Sequence, residues 1–336
     1  MKNLNEFTVN CDMRVLPDEL KTESVIHVQD HMPPVIDPRI SIKGENHYFK
    51  NTIIDLFKDA GVDYNNKTFV FDIYLRFEDF KNAVYTGEVF YGTAKMFKQY
   101  NTSWTLPTNV VTKNFSFISN RPREHRRLLG VALKHLIKHN NYSYSFNATN
   151  SYPLEELLIG TDYGFDVNNL IDERWITIAH DNKERIGLLN FRDLYDNLFA
   201  GSPVSLITEP FFLERGCGFT EKTFMSIYAG QFMIWPGLYK GAVTAKQYGI
   251  DVFDDVVDHS YQYIEHPGQR LVEAIKRNYT LLTQLQYASE QRERCWDRLQ
   301  DNFKQAQDLD KILATILENN PAEWHEYIIK ANNSHQ

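Results

Sequence analysis

The sequence predicts an α/β protein of two lobes, each built on a parallel sheet, with a helical C-terminus. Three observations predict it. The chain has 336 residues, long for one domain and comfortable for two. Its hydrophobic fraction is 43% and its charged fraction 24%, enough to bury real cores. Short apolar runs also alternate with stretches of helical periodicity, which is the pattern of strands joined by crossover helices.

Taken in order, residues 24–29 read as a short buried strand. They run into Asp30-His31-Met32-Pro33-Pro34, where consecutive prolines break regular structure. Residues 49–60 carry apolar side chains at helical spacing and stop at Gly61, and residues 68–75 form the next strand. A second series begins with a strand over 111–119, a turn over 120–123 and a basic amphipathic helix over 124–139, with Leu129, Leu133 and Leu136 on one side. Val204–Thr208 reads as a strand, Thr220–Ala229 as a helix, and Gln231–Trp235 as a strand closed by Pro236-Gly237. Lys240–Tyr248 reads as a short helix ending at Gly249, and Ile250–Val257 as a last short strand. Residues 267–319 look almost wholly helical, and a short amphipathic helix surrounds Trp324 to Ile329. The expected organisation is two Rossmann-like lobes facing a cleft. Residues 1–110 form the N-terminal lobe and 111–319 the C-terminal lobe, and by analogy with two-lobed enzymes 320–336 is a helix that crosses back to the first.

The formal net charge of −8 argues against a surface wholly devoted to nucleic acid, while leaving room for a local basic cleft. Three widely spaced cysteines, Cys11, Cys217 and Cys295, are neither a disulfide framework nor a cysteine zinc site. The N-terminus lacks the apolar core of a signal peptide, and no apolar run approaches the roughly 20 residues that span a bilayer. A soluble, cytoplasmic protein without a membrane partner is expected.

Two segments carry the chemistry. The first runs from Gly218-Phe-Thr-Glu-Lys-Thr into a helix and then a buried strand ending at Trp235-Pro-Gly. Thr220 is a good N-cap residue. The N–H groups of a first helical turn favour an anion such as a diphosphate. Lys222 adds a full positive charge there, Thr223 lies in the same turn, and Glu221 can accept hydrogen bonds from ribose hydroxyls. The same residues also suit a plain helix cap with a solvated lysine. Upstream, Glu209 closes the strand before this helix, at the expected cleft edge, where it can help hold the ligand.

The second segment is Phe115-Ser-Phe-Ile-Ser-Asn-Arg-Pro-Arg-Glu-His-Arg-Arg127, a strand that empties into a helix start. From Lys113 to His139 there are seven Lys/Arg against one acid, a local charge of +6. Basic groups at the end of a parallel strand are where α/β sheets bind phosphates, and arginine clamps a diphosphate with two hydrogen bonds. Arg126 is the first candidate and Arg123 the second. A solvated basic helix face is the competing account, and it suits Lys134 and Lys138.

Together, in this order, the two segments resemble the signature of the glycosyltransferases related to the α-1,3-fucosyltransferases. They resemble still more closely the glycosyltransferases widespread in tailed phages and marine bacteria. In the fucosyltransferases a strand ending in Ser-Asn precedes an arginine that opens a helix, and a Thr-Glu-Lys helix start follows about a hundred residues later. The resemblance implies that Arg126 and Lys222 meet the donor diphosphate and Glu221 the ribose, with Ser119 and Asn120 at the strand end. Arg126 is preferred to Arg127 because Leu129 and Leu133 then fall at the apolar helix positions. The phage-type relatives share Asn120–Arg126, Leu206-Ile-Thr-Glu209 and Gly249–Tyr261. The match covers 113–136 and 188–275 and leaves 1–110 unmatched. It implies the two-lobed GT-B fold, inversion at the anomeric carbon, a nucleotide-sugar co-substrate, no metal and no other cofactor. It does not imply fucose.

The acceptor would need a base. Candidates are Asp30 and His31 after the first strand, and Asp72 within the next, with Glu78 and Asp79 just beyond it. A polar turn capped by Asp30 is the plain alternative. His27, Asp30 and His31 could instead hold the metal of a hydrolase. Asp254-Asp255…Asp258-His259 looks like an acidic metal cluster but reads better as a solvated turn. Phe211, Phe212, Tyr228 and Trp235 read as core before sugar platforms.

The expected function is therefore transfer of a sugar from a nucleotide sugar to an acceptor hydroxyl. The acceptor is either a hydroxymethylated pyrimidine in phage DNA, which must leave the base stack, or a glycan or small metabolite. The phage reading places the protein in the host-cell cytoplasm. A different class remains open, a non-catalytic nucleic-acid-binding protein that keeps a transferase-like lobe.

Overall fold

The structure is a computed structural model that describes residues 24–28, 57–71, 81–119, 124–137, 142–146, 191–209 and 218–334. It is mixed α/β. The first sheet joins β1 (Val25–Val28), β2 (Thr68–Phe71) and β3 (Ala83–Tyr85) in the order β1-β2-β3, both pairs parallel. Helix α1 (Glu88–Tyr100) follows it. The second sheet has the order β5-β4-β6-β7, again all parallel. Its strands are β4 (Phe115–Ser119), β5 (Tyr142–Phe146), β6 (Val204–Leu206) and β7 (Phe232–Ile234). Helices α2 (Glu124–Leu136), α3 (Phe191–Leu194), α4 (Glu221–Tyr228) and α5 (Gly241–Gln247) lie between or after them. The C-terminal part is α6 (Pro267–Arg277), α7 (Tyr279–Thr283), α8 (Leu285–Arg294), α9 (Trp296–Gln307), α10 (Leu309–Glu318) and α11 (His325–Ser334).

Strand alternation explains how the second sheet is covered on both faces. Phe115 and Phe117 of β4, Val204 and Leu206 of β6, and Phe232 and Ile234 of β7 point to one face. There they join Leu128, Leu129, Ala132 and Leu133 of α2 and Leu271 and Ile275 of α6. Met233 of β7 belongs to the other core, with Phe224, Ile227 and Tyr228 of α4. The crossovers after β4 and after β6 thus lie on opposite faces, and the strand order reverses between β4 and β6.

The core on the α4 face is continuous with that of the first sheet, and α1 is the connection. Phe90, Tyr91, Ala94 and Phe97 form its buried stripe. Phe90 stacks on Tyr248 at 3.8 Å and lies 4.9 Å from Phe224, and Phe97 meets Tyr228 edge-on at 5.2 Å. The other sides of α1 pack on α9, α10 and α11. Asn320 pairs with both the N–H and the carbonyl of Tyr85, at 2.7 and 2.8 Å, and Asn332 donates to the Thr86 carbonyl at 2.9 Å. The end of the chain is thereby tied to the end of β3. Gly87, the N-cap of α1, has φ 67, and a Cβ there would sit 2.6 Å from Ile316. Only glycine suits both demands.

Several expectations need correction. Ile250–Val257 is not a strand. Phe253 has φ 59, a left-handed conformation that no strand tolerates. Asp251 accepts the Phe253 N–H at 2.8 Å, and Asn302 bonds both the N–H and the carbonyl of Asp251 at 2.7 Å. Side chains therefore satisfy a backbone that a neighbouring strand would otherwise pair. Residues 267–319 are almost wholly helical, as expected, and divide into five helices; Gln284 is extended and Asp308 caps α10 through the Lys311 N–H. The strands β3 and β5 and helix α1 lie outside the elements expected, although the buried stripe of α1 is a periodic signal in the sequence. No helix among the described residues is long and apolar enough to cross a membrane.

Candidate functional site

In a parallel sheet the chain leaves every strand at the same edge, and a crevice opens where the strand order reverses. Here that point lies between β4 and β6. The loop after β4 leads to α2 and the loop after β6 leads to α4, so the two sequence motifs arrive at one edge. Arg126, in the first turn of α2 and only 4% exposed, donates from Nη2 to the Thr208 carbonyl at 3.2 Å. This bond crosses the reversal point and ties α2 to the segment that precedes α4.

Glu209, the next residue, is 3% exposed. A carboxylate that deep needs donors, and the first turn of α4 supplies them. Oε1 accepts the Thr220 N–H at 3.0 Å and the Thr223 hydroxyl at 2.8 Å, and Oε2 accepts the Thr220 hydroxyl. Thr220 is the N-cap, as expected, but its hydroxyl is committed to Glu209 and does not cap a later N–H. Thr223 also accepts from Trp235 Nε1 at 3.1 Å. Lys222 Nζ donates to the Thr220 hydroxyl at 3.1 Å and to Glu221 Oε1 at 2.9 Å. One hydrogen-bonded chain therefore runs from Trp235 after β7, through Thr223, Glu209 and Thr220, to Lys222.

The electrostatics of this chain are unbalanced. Burial pushes the Glu209 carboxyl above its ordinary value of 4.5, opposed by the Lys222 ammonium and the Thr220 hydroxyl and N–H. Burial also pushes Glu221 upward, but Lys222 and local hydrogen bonds outweigh it and hold Glu221 below the ordinary value. Among the described residues the two carboxylates thus share a single ammonium, and the Lys222 side chain is still 19% exposed. Glu209 already occupies part of the helix N-terminus that an external anion would use.

The expected donor residues thus divide. Arg126, Glu209, Thr220, Glu221, Lys222 and Thr223 are brought together. Ser119 ends β4 at the same sheet edge. Arg123 and Asn120 lie outside the described residues, as do the expected catalytic residues Asp30, His31 and Asp72, with Glu78, Asp79, Phe211 and Phe212. His27 is placed by its backbone in β1. Trp235 and Tyr228 are fully buried core, as expected. The role of Trp235 in orienting Thr223 was not legible. Its only sequence signal is an indole placed at the end of an apolar strand, where its N–H needs a partner.

The acidic turn is a separate feature. Asp254 pairs with Lys246, Asp255 with Arg294 and Arg298 at 2.8 Å each, and Asp258 accepts the Ser260 N–H at 2.8 Å. His259 is held by the Val252 carbonyl at 2.9 Å, and burial lowers its basicity. Lys246, Asp254, Asp255, Asp258, His259 and Ser260 line an open groove of about 490 Å³ that Glu209, Thr220 and Lys222 do not reach. Its acids are already partnered, so the groove is not the better site. Among the described residues no group of three His, Cys, Asp or Glu could hold a metal. Compared with known proteins, the chain matches no family, no curated protein and no solved structure.

Proposed function

We propose that the protein is a glycosyltransferase that takes its sugar from a nucleoside-diphosphate donor bound at the first turn of α4. The convergence of the two motifs at the reversal of strand order carries this reading: Arg126 at the start of α2 bonds to the carbonyl next to Glu209, which grips Thr220 beside Lys222. Such a crevice is where open parallel sheets take nucleotides. A departing nucleoside diphosphate gathers negative charge on its oxygens, and fixed donors accelerate its departure. Lys222 and the helix start supply those donors. Glu221, with its carboxyl held ionised, is an acceptor suited to ribose hydroxyls. Arg126 holds the wall of this edge through the Thr208 carbonyl. In this reading the sheets are the centres of two Rossmann-like lobes, a base on the first lobe deprotonates the acceptor, and no metal is required.

The test is binding of GDP, UDP, ADP and CDP and their sugar conjugates, by thermal shift and calorimetry, with and without chelator. Selective binding of one nucleotide that survives chelation and falls about a hundredfold in Lys222→Ala is the expected result, since a hydrogen bond to a charged group contributes up to about 3 kcal/mol. Absence of binding by every member sinks the transferase reading and favours the nucleic-acid-binding one.

A further inference from the structure

We propose that Glu209 is a positioning residue, which sets the phosphate affinity of the site through Thr220, Thr223 and Lys222 without touching the ligand. The inference rests on the nucleoside-diphosphate reading of the α4 start.

Four geometric facts carry it. Glu209 is buried, and both its oxygens are engaged by protein donors, so it offers little to a ligand directly. Its hydrogen bonds among the described residues all fall on the one turn that would hold phosphate: the Thr220 N–H, the Thr220 hydroxyl and the Thr223 hydroxyl. Thr220 then passes the interaction on, because the oxygen that donates to Glu209 accepts from Lys222 Nζ at 3.1 Å. At the other end Thr223 is fixed by the indole of Trp235, which is fully buried. A hydroxyl between a carboxylate and an ammonium is oriented by both, and each bond strengthens the next. The carboxylate therefore dictates which way the Thr220 hydroxyl points, and the Thr220 oxygen, together with Glu221 Oε1, fixes where the ammonium rests. An amide at 209 has the shape of the carboxylate but only one acceptor atom, so it cannot accept from both threonine hydroxyls and the Thr220 N–H in the same way. Preorganisation of this kind acts where phosphate charge is met and leaves base recognition alone.

The experiment is calorimetry of the whole chain with the nucleoside diphosphate that the wild type binds and with the matching monophosphate. The variants are Glu209→Gln, Thr223→Val, Thr223→Ser, Lys222→Ala and Glu209→Gln combined with Lys222→Ala. The proposal expects Glu209→Gln and Thr223→Val to weaken the diphosphate about tenfold and the monophosphate less than about twofold. Thr223→Ser restores the wild-type affinity. In the Lys222→Ala background Glu209→Gln adds less than about twofold, because the relay has lost its end. Equal losses for mono- and diphosphate overturn the proposal and make Glu209 a folding residue only. Wild-type affinity in Glu209→Gln and Thr223→Val, with binding lost in Lys222→Ala, also overturns it and leaves the donor reading standing. A wild type that binds no nucleotide overturns both. If Glu209→Gln does not melt cooperatively, the Thr223→Val and Thr223→Ser pair decides alone.

Discussion

Two charged clusters in the second half of the chain are built on opposite terms. At the turn after α5, Arg298 donates to both oxygens of Asp251, at 2.6 and 3.0 Å, and to Asp255 at 2.8 Å, while Arg294 holds the other Asp255 oxygen at 2.8 Å. Two acids meet two guanidinium groups near the surface. The Arg298 hydrogen bond leads in holding Asp255 below the usual carboxylate range, and Asp251 leads in raising Arg298 above its own ordinary value. At the start of α4 two carboxylates share one ammonium, deeper in the protein, and burial pushes Glu209 the other way. The first arrangement is complete in itself and holds the left-handed turn at Phe253, whose ring Arg298 covers at 4.8 Å. The second is held together by donors that a ligand could also use. At the acidic turn the charges match in place and serve the fold; at the start of α4 the described charges do not, and the proposed donor site draws on that difference.

The sharpest way to break the comparison is to remove the buried acid. Glu209→Ala leaves one buried N–H and two hydroxyls without their acceptor and opens a void, so we expect a loss of about 3 kcal/mol in urea unfolding. Arg298→Ala should cost less, about 1 kcal/mol, because its partners are more than a third exposed and water screens them. It should leave nucleotide binding unchanged. Lys222→Ala should do the reverse: a stability change within about 0.5 kcal/mol, from an ion pair that is partly wet, and a large loss of binding.

The pH dependence of melting should sharpen the same contrast. A carboxyl raised by folding contributes stability below its ordinary value of 4.5 and loses that contribution as pH rises through its folded value. Glu209→Gln removes this loss, so its melting temperature should gain on the wild type as pH rises. A carboxyl lowered by folding contributes stability above its ordinary value of 3.8 and loses it as pH falls. Arg298→Ala should therefore lag the wild type at neutral pH and converge with it in acid. Parallel curves for both variants would erase the distinction between the clusters. The smallest effect is expected at Lys246→Ala, whose pair with Asp254 is about half exposed and should contribute no more than about 0.3 kcal/mol.

Much of the second sheet was legible because its signals are local. Phe115 and Phe117 alternate with Ser116, and Leu129 and Leu133 sit one helical turn apart, so strand β4 and helix α2 follow from period alone. Thr220 marked the start of α4 correctly. The apolar run at Ile250–Val257 misled, since Val252, Phe253 and Val257 are indeed buried. What makes it a turn is Asn302, about fifty residues away, bonding the backbone of Asp251.

The sequence by itself determined the class of the fold, the order of most elements around β4, β6 and β7, and the residue types gathered at the start of α4. Those follow from periodicity, capping and charge, which act over a few neighbouring residues. Only the tertiary structure decided that the strand order reverses between β4 and β6, that Arg126 reaches Thr208, and that Glu209 is swallowed by the turn it precedes. Those depend on which distant groups meet. A carboxylate at the end of a strand reads the same in sequence whether it faces a ligand or a threonine hydroxyl, and burial alone separates the two.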